Sequence, residues 1–192
     1  TPLPETLTKK SVVVNPRGQR PGSLRQDIFF QSIPLVLKKR PGVQFICPSL
    51  SEDKESQRWV ELLNIQAETK LWPRLNREQM WTLLKRSHIY VSPSVHDGTP
   101  NSLLEAMAAG CIPVVGDIES MREWVIPGVN GFLVDATSPQ SLAKGILAAL
   151  EDGSMINGAK KENARIVAQR ASYKYCMAMT EAFYQQVMTK KG

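Results

Sequence analysis

Cysteine and histidine are scarce, three and two in 192 residues. Cys47, Cys111 and Cys176 stand far apart among apolar neighbours. That argues against a disulfide framework and reads as buried thiols in a reducing compartment. His88 and His96 form no cluster with zinc spacing, so no metal site is expected. Long hydrophobic runs are missing too. None approaches the roughly 20 residues that cross a bilayer. The polar start, rich in Thr and Pro, carries no secretory signal. Also absent are the Gly-x-Ser-x-Gly elbow, a Walker loop and Gly-x-Gly-x-x-Gly. The last absence counts against a nicotinamide-dependent reductase, because the first apolar run leads into Asn15-Pro16-Arg17-Gly18 instead.

What is present is an ordinary globular composition, 42% hydrophobic and 22% charged, long enough for one sizeable core. A net charge of +6 gathers at Lys9-Lys10, Arg17 to Arg25, Lys38-Lys39-Arg40, Lys160-Lys161 and Lys190-Lys191. Most of these read as solvated surface. Arg17, Arg20 and Arg25 differ, since they lie in a Gly/Pro-rich stretch just after a strand, where cations can meet phosphates. The charge leaves an anionic membrane surface open as a partner. Nucleic acid is not expected, because no motif or aromatic–basic interleaving supports it.

Residues 1–10 read as a tail or linker and 11–192 as one domain. Apolar runs predict six strands, at 11–15, 43–47, 69–72, 89–92, 112–116 and 131–134. Helical spacing fills the gaps: 24–40, with Pro34 expected to kink it or begin a new turn, 51–63, 76 to about 87, 101 to 110, 120–125 and 138 to about 153. Terminal helices are expected over 159–170 and 173–190. Trp59, Trp81 and Trp124 read as packing residues, and Met107, Met121, Met155, Met177 and Met179 as core or interface filler rather than a cofactor box. Strands alternating with helices imply an α/β fold, a doubly wound, Rossmann-like parallel sheet covered on both faces. Ligands of such sheets bind beyond the carboxyl ends of the strands. Three stretches lie there: Arg17 to Arg25, Trp72 to Leu75 and Asp97 to Ser102.

The stretch from His96 to Gly110 is the most informative. A turn, Asp97-Gly98, leads through Thr99 and Pro100 to a helix start at Asn101/Ser102, and the helix stops at Gly110. Asp97 and Glu105 are separated by seven residues. A carboxylate has two acceptor oxygens, suited to a vicinal diol. The helix N-terminus offers free N–H groups and a partial positive charge. The layout suits an anionic, hydroxyl-rich ligand such as a sugar nucleotide.

Tyr90-Val91-Ser92-Pro93-Ser94, then Asp97 to Gly110, Pro113-Val114-Val115 and Gly128 to Val134 resemble the C-terminal, donor-binding half of a GT-B-fold glycosyltransferase of family 4 (group 1). The resemblance covers nearly the whole chain and includes Asn15-Pro16-Arg17 as a phosphate-binding opening. The family carries two glutamates where Asp97 and Glu105 stand. It implies contact of Asp97 with hydroxyls of the donor sugar and of Glu105 with the ribose. It also implies that the stretch Gly98-Thr99-Pro100-Asn101-Ser102-Leu103-Leu104 binds the diphosphate and sugar and offers them its backbone N–H groups. Asp97 is one methylene shorter than the family's residue, which alters its reach. Arg17 matches the family's phosphate-binding arginine. The Lys-Gly pair that usually follows is absent, and Arg20 or Arg25 stands nearest to replacing it. Trp72 and Arg74 lie where the family's nucleobase binds, and Trp72 reads equally as a core residue.

The resemblance implies a retaining, metal-independent transferase that uses a nucleoside-diphosphate sugar, UDP ahead of GDP, and needs no cofactor. The acceptor would be a glycan or a lipid. It implies as well an N-terminal acceptor domain absent from this chain, to which the last helix crosses back, so that these residues alone bind donor without efficient transfer. A cytoplasmic location, peripheral to the inner face of a membrane, fits that reading. The missing lysine keeps a non-catalytic sugar-nucleotide-binding module as the alternative.

Overall fold

Runs such as Val12-Val13-Val14 bury both faces, which requires cover on both sides of a sheet. The computed structural model describes residues 3, 4, 7, 11–98, 100–151 and 153–189, with only the backbone of 153–157. Its six strands are β1 (Ser11–Val14), β2 (Val43–Pro48), β3 (Thr69–Trp72), β4 (Ile89–Ser92), β5 (Ile112–Gly116) and β6 (Phe132–Val134). All pair in parallel, in the order β3-β2-β1-β4-β5-β6. That is the doubly wound order, and it reverses between β1 and β4. The helices are α1 (Gln26–Lys39), α2 (Lys54–Leu62), α3 (Arg77–Arg86), α4 (Asn101–Ala109), α5 (Glu119–Arg122), α6 (Pro139–Glu151), α7 (Gly153–Arg170) and α8 (Tyr173–Thr189).

Side chains alternate along each strand, so the sheet feeds two cores. Val13, Phe45, Ile89, Val91 and Val114 meet Phe29, Ile33 and Val36 of α1 and Leu142 and Ile146 of α6. Val12, Val14, Ile46, Tyr90 and Val115 meet Leu83 and Leu84 of α3, Leu103 and Met107 of α4 and Ile166 of α7. Tyr90 is thereby committed to the α4 side, which matters for the site. Among the described residues no helix is long and apolar enough to cross a membrane.

Several expectations need correction. Helix α1 runs through Pro34 without interruption. Four buried side chains before and after it, Phe29, Phe30, Ile33 and Val36, hold the turn that the proline alone would open. Helix α7 begins at Gly153, six residues earlier than expected. Cys47 and Cys111 are buried, and burial pushes both thiols up, Cys111 to about 12. Cys176 is exposed instead, because no residue of α8 is buried. Of the methionines read as core or interface filler, Met107 and Met121 lie in the core and Met177 and Met179 on the exposed α8; the Met155 side chain falls outside the described residues. Most of the 1–10 tail also falls outside them, but Leu3 and Leu7 pack against the α3–α4 core.

The helix ends follow local chemistry. Asp53 accepts the Ser56 N–H and caps α2. Asn76 and Gln79 form a reciprocal capping box on α3. Helix α4 closes on Gly110, whose φ of 91° needs a residue without a Cβ. Its other end is open: Pro100 is the N-cap and supplies no side-chain acceptor.

Gly116 at the end of β5 ties the sheet to the loop beyond β4. A Cβ there would overlap the Ser94 carbonyl oxygen and also press on Ala136. Gly116→Ala is therefore expected to cost about 1–3 kcal/mol, read by urea denaturation; an unchanged midpoint would show that the Ser94 backbone moves freely. A second expectation concerns His88, which donates its N–H to the Val12 carbonyl and accepts the Val12 N–H on Nδ1. Burial, aided by Lys160, holds its pKa below the ordinary 6.5. The fold then favours neutral His88, so its contribution is present above about pH 6.5 and is lost as pH falls through the lowered value. Wild type should lose more stability than His88→Gln between about pH 7 and pH 5. Parallel pH profiles would refute this.

Candidate functional site

Where the strand order reverses, the loops leaving β1 and β4 face each other across a crevice. Here they are stitched together. Leu24 and Ser94 form an antiparallel bridge. The Arg25 N–H donates to the Pro93 carbonyl at 3.0 Å and the Val95 N–H to the Ser23 carbonyl at 2.9 Å. Beneath them Asn15, buried at the end of β1, donates through Nδ2 to Gln26 Oε1 at 2.6 Å. Gln26 in turn donates to the Arg17 carbonyl at 2.7 Å. A buried amide pair thus fixes the backbone that carries Arg17.

Arg17 Nη1 meets Asp97 Oδ2 at 2.6 Å, with the two side chains 10% and 14% exposed. The other carboxylate oxygen of Asp97 accepts the Gly98 N–H at 3.0 Å. Below this pair lies the hydroxyl of Tyr90, a fully buried residue, 2.8 Å from Ser102 Oγ and facing the Arg17 guanidinium. Burial pushes the Tyr90 phenol up, against the opposing pull of Ser102 and Arg17. Burial also disfavours the Arg17 charge, but Asp97 and Tyr90 outweigh it and hold its pKa above the ordinary value. The guanidinium stays charged throughout the physiological range.

The start of α4 completes this edge. The Leu103 and Leu104 N–H groups are already bound to the Pro100 carbonyl, at 2.8 and 3.1 Å, which corrects their expected role as donors. The amides of Asn101 and Ser102 have no acceptor among the described residues. Thr99 lies outside those residues. Pro100 and Leu103 are buried, so their side chains serve the core rather than the crevice. Gly98 has open space where a Cβ would sit and no positive φ, so the fold itself does not demand a glycine there.

The remaining candidates separate. Arg25 makes a bidentate pair with Asp27 on the first turn of α1, at 2.9 and 2.7 Å. Its charge is spent locally, and Asp27 in return is held below the usual carboxylate range by Arg25. Arg20 is exposed at a turn whose carbonyl accepts the Ser23 and Leu24 N–H groups. Trp72 is 2% exposed and packs in the core with Ile46 and Leu75, while Arg74 is exposed beside it.

Among the described residues Glu105 borders a different cleft from Asp97. It is exposed on the second turn of α4 and borders a cleft of about 670 Å³, walled by Leu75, Asn76, Met80, Trp81 and Leu84. Asp97 and Gly98 border a second cleft of about 420 Å³ with His96, Glu119 and Glu123. Trp81 is a wall residue that the sequence reading assigned to packing. It is 38% exposed and stacks under the Lys85 ammonium at 5.2 Å. Its position on the solvent side of a capped, amphipathic α3 was the available signal.

This chain is similar to two uncharacterised glycosyltransferases of Methanocaldococcus jannaschii. One is 32% identical over 83 residues, 43% of this chain and 21% of the relative. The other is 34% identical over 92 residues, 46% and 24%. The match thus spans about a quarter or less of those curated relatives. Among solved structures, Anabaena HepE in complex with UDP and glucose superposes with a TM-score of 0.81 at 20% identity, covering 92% of this chain and 49% of that one. The C-terminal domain of a glycosyl transferase group 1 family protein, LpcC of Francisella tularensis, gives 0.75 at 18% identity, covering 86% and 88%. These likenesses establish the fold as the C-terminal half of a GT-B architecture. The sequence model of the glycosyl transferases group 1 family matches residues 25–170, and the chain belongs to that family.

Proposed function

We propose that this chain is the donor-binding domain of a retaining glycosyltransferase that takes a nucleoside-diphosphate sugar, UDP ahead of GDP. The observation that carries the reading is the meeting of Arg17 and Asp97 at the strand-order reversal, beside the uncapped start of α4. A guanidinium and free amides suit a diphosphate, and carboxylates suit sugar and ribose hydroxyls. The division into two clefts fits such a ligand. The base and ribose would lie against Leu75, Trp81 and Glu105, the sugar against Asp97. In the reaction the bond from the anomeric carbon to the phosphate oxygen breaks. The acceptor oxygen bonds to the same face, and its proton passes to the departing diphosphate. Arg17 and the Asn101 and Ser102 amides would stabilise the charge that develops there.

The HepE chain is about twice as long as the part matched here. Helix α8 bares Tyr173, Phe183, Tyr184 and Met188. Both support a complete enzyme in which an N-terminal half supplies the acceptor site and covers α8. Residues 1–192 alone would then bind donor without ordinary turnover. Of the three candidate cations, Arg17 meets Asp97 at the reversal, Arg25 is paired with Asp27 and Arg20 is exposed at a turn. This favours, as the second reading, a module that binds sugar nucleotide without transferring it.

Calorimetric titration with UDP, GDP, ADP and their common sugars tests the reading. Glu105→Ala should weaken every nucleotide that binds by roughly 1–3 kcal/mol, as for a lost charge-assisted hydrogen bond. Gly98→Ala, which meets nothing in the free chain, should leave the melting temperature unchanged and weaken the sugar-bearing forms. Equal affinities in wild type and both variants would remove the site assignment. Turnover by residues 1–192 alone would remove the claim of an incomplete enzyme.

A further inference from the structure

Asp97 is bound in a way that a sugar-contacting residue does not require. One of its oxygens takes the Arg17 guanidinium at 2.6 Å and the other takes the Gly98 amide at 3.0 Å. A cation and a backbone N–H are the donors a phosphate uses. The carboxylate therefore stands in the free chain as a substitute anion, satisfying the groups that the nucleotide's phosphates need. It is largely sheltered, so the pair is poorly screened by salt.

We propose that Asp97 is a specificity-determining counter-anion: a nucleotide must displace it from Arg17, and only a nucleotide carrying a sugar gives it new partners. The proposal rests on the donor-binding reading above. A nucleotide sugar brings hydroxyls that donate to the displaced carboxylate. A free nucleoside diphosphate brings a terminal phosphate of greater charge and no hydroxyl at that position. It leaves Asp97 unpaired beside a like charge, which disfavours the complex. The site thereby prefers donor over the nucleotide product that transfer leaves behind. The preference belongs to the negative charge of Asp97, not to its size.

The test is calorimetric titration of the 192-residue chain and two variants, Asp97→Asn and Asp97→Glu. The probes are UDP, GDP, UDP-glucose and GDP-mannose, with melting curves as the folding control. Asp97→Asn should bind the preferred nucleoside diphosphate roughly 10-fold more tightly than wild type, the size of one released ion pair. The corresponding nucleotide sugar should bind no more tightly. Asp97→Glu, which keeps the charge, should show no gain for the diphosphate. As a second readout in the wild type, the Arg17 Nε–H resonance should shift when UDP-glucose or GDP-mannose saturates the site. A diphosphate affinity that falls or stays level in Asp97→Asn, with a nucleotide still bound by the wild type and weakened by Glu105→Ala, overturns the counter-anion and spares the donor site. So does an Arg17 resonance that stays fixed at saturation. A wild type that binds none of the four probes removes both.

Discussion

The contact between the loop after β1 and the loop after β4 is the constraint on which the rest depends. Parallel pairing of β1 with β4 places their carboxyl ends side by side. Crossovers leave these strands in opposite directions, so the two loops border a crevice that no helix fills. In an open sheet those loops would be free to splay. Here the Leu24–Ser94 bridge joins their backbones and Arg17–Asp97 joins their charges. Residues 80 positions apart are held by one ion pair and by backbone hydrogen bonds from Arg25 to Pro93 and from Val95 and His96 to Ser23. Neither partner is well solvated, so breaking the pair without a substitute leaves a poorly hydrated charge, which is costly.

Support for that contact comes from residues with no claim to touch a ligand. Asn15 and Gln26 are buried amides, and each satisfies the other before Gln26 reaches the Arg17 carbonyl. Gln19 reaches the other way, donating to the Asp53 carboxylate that caps α2 at 3.0 Å. Tyr90 rises from the sheet on the α4 face because strand side chains alternate, and its hydroxyl meets Ser102 at the first turn of that helix. Gly116 lets the Ser94 backbone lie directly over β5. The crevice is thus built on strands and helix starts rather than on loops alone, which keeps its donors fixed before any ligand arrives.

The architecture was legible because its signals are local and periodic. Six apolar runs separated by helical spacing admit little besides a doubly wound sheet, and Asn76, Ser51 to Asp53 and Gly110 mark helix ends by short-range chemistry. Where tertiary packing overrides local preference the sequence misled. Pro34 sits in a helix that buried Phe29, Phe30, Ile33 and Val36 hold together. Cys176 reads as buried from its apolar neighbours but rides on a helix none of whose residues is buried. In the site, the pattern Asp97 to Glu105 pointed to the edge of the sheet where the strand order reverses. It did not reveal that the two acids open to different clefts, nor that Arg25 answers to Asp27, two residues away. Such pairing depends on side-chain directions that spacing does not encode. Trp81 reads as a packing residue in the sequence because an aromatic at helical spacing is usually core.

Arg17 and Asp97 offset each other, and Glu119 and Glu123 border the same cleft as Asp97, which limits what the crevice can hold. A diphosphate entering beside Arg17 alone would be undercompensated, because Arg25 is paired with Asp27. The start of α4 supplies the balance. Its dipole is equivalent to roughly half a positive charge, and its first two amides are free of side-chain caps. The same ledger argues against a simple anion as the natural occupant, since any anion that takes Arg17 strands Asp97. A ligand with a charged segment and a neutral polyol segment, joined at the right length, resolves both demands at once. Asp97, shorter by a methylene than glutamate, also ties that length to the position of Arg17. The reach of the sugar and the placement of the phosphate are therefore set by one contact.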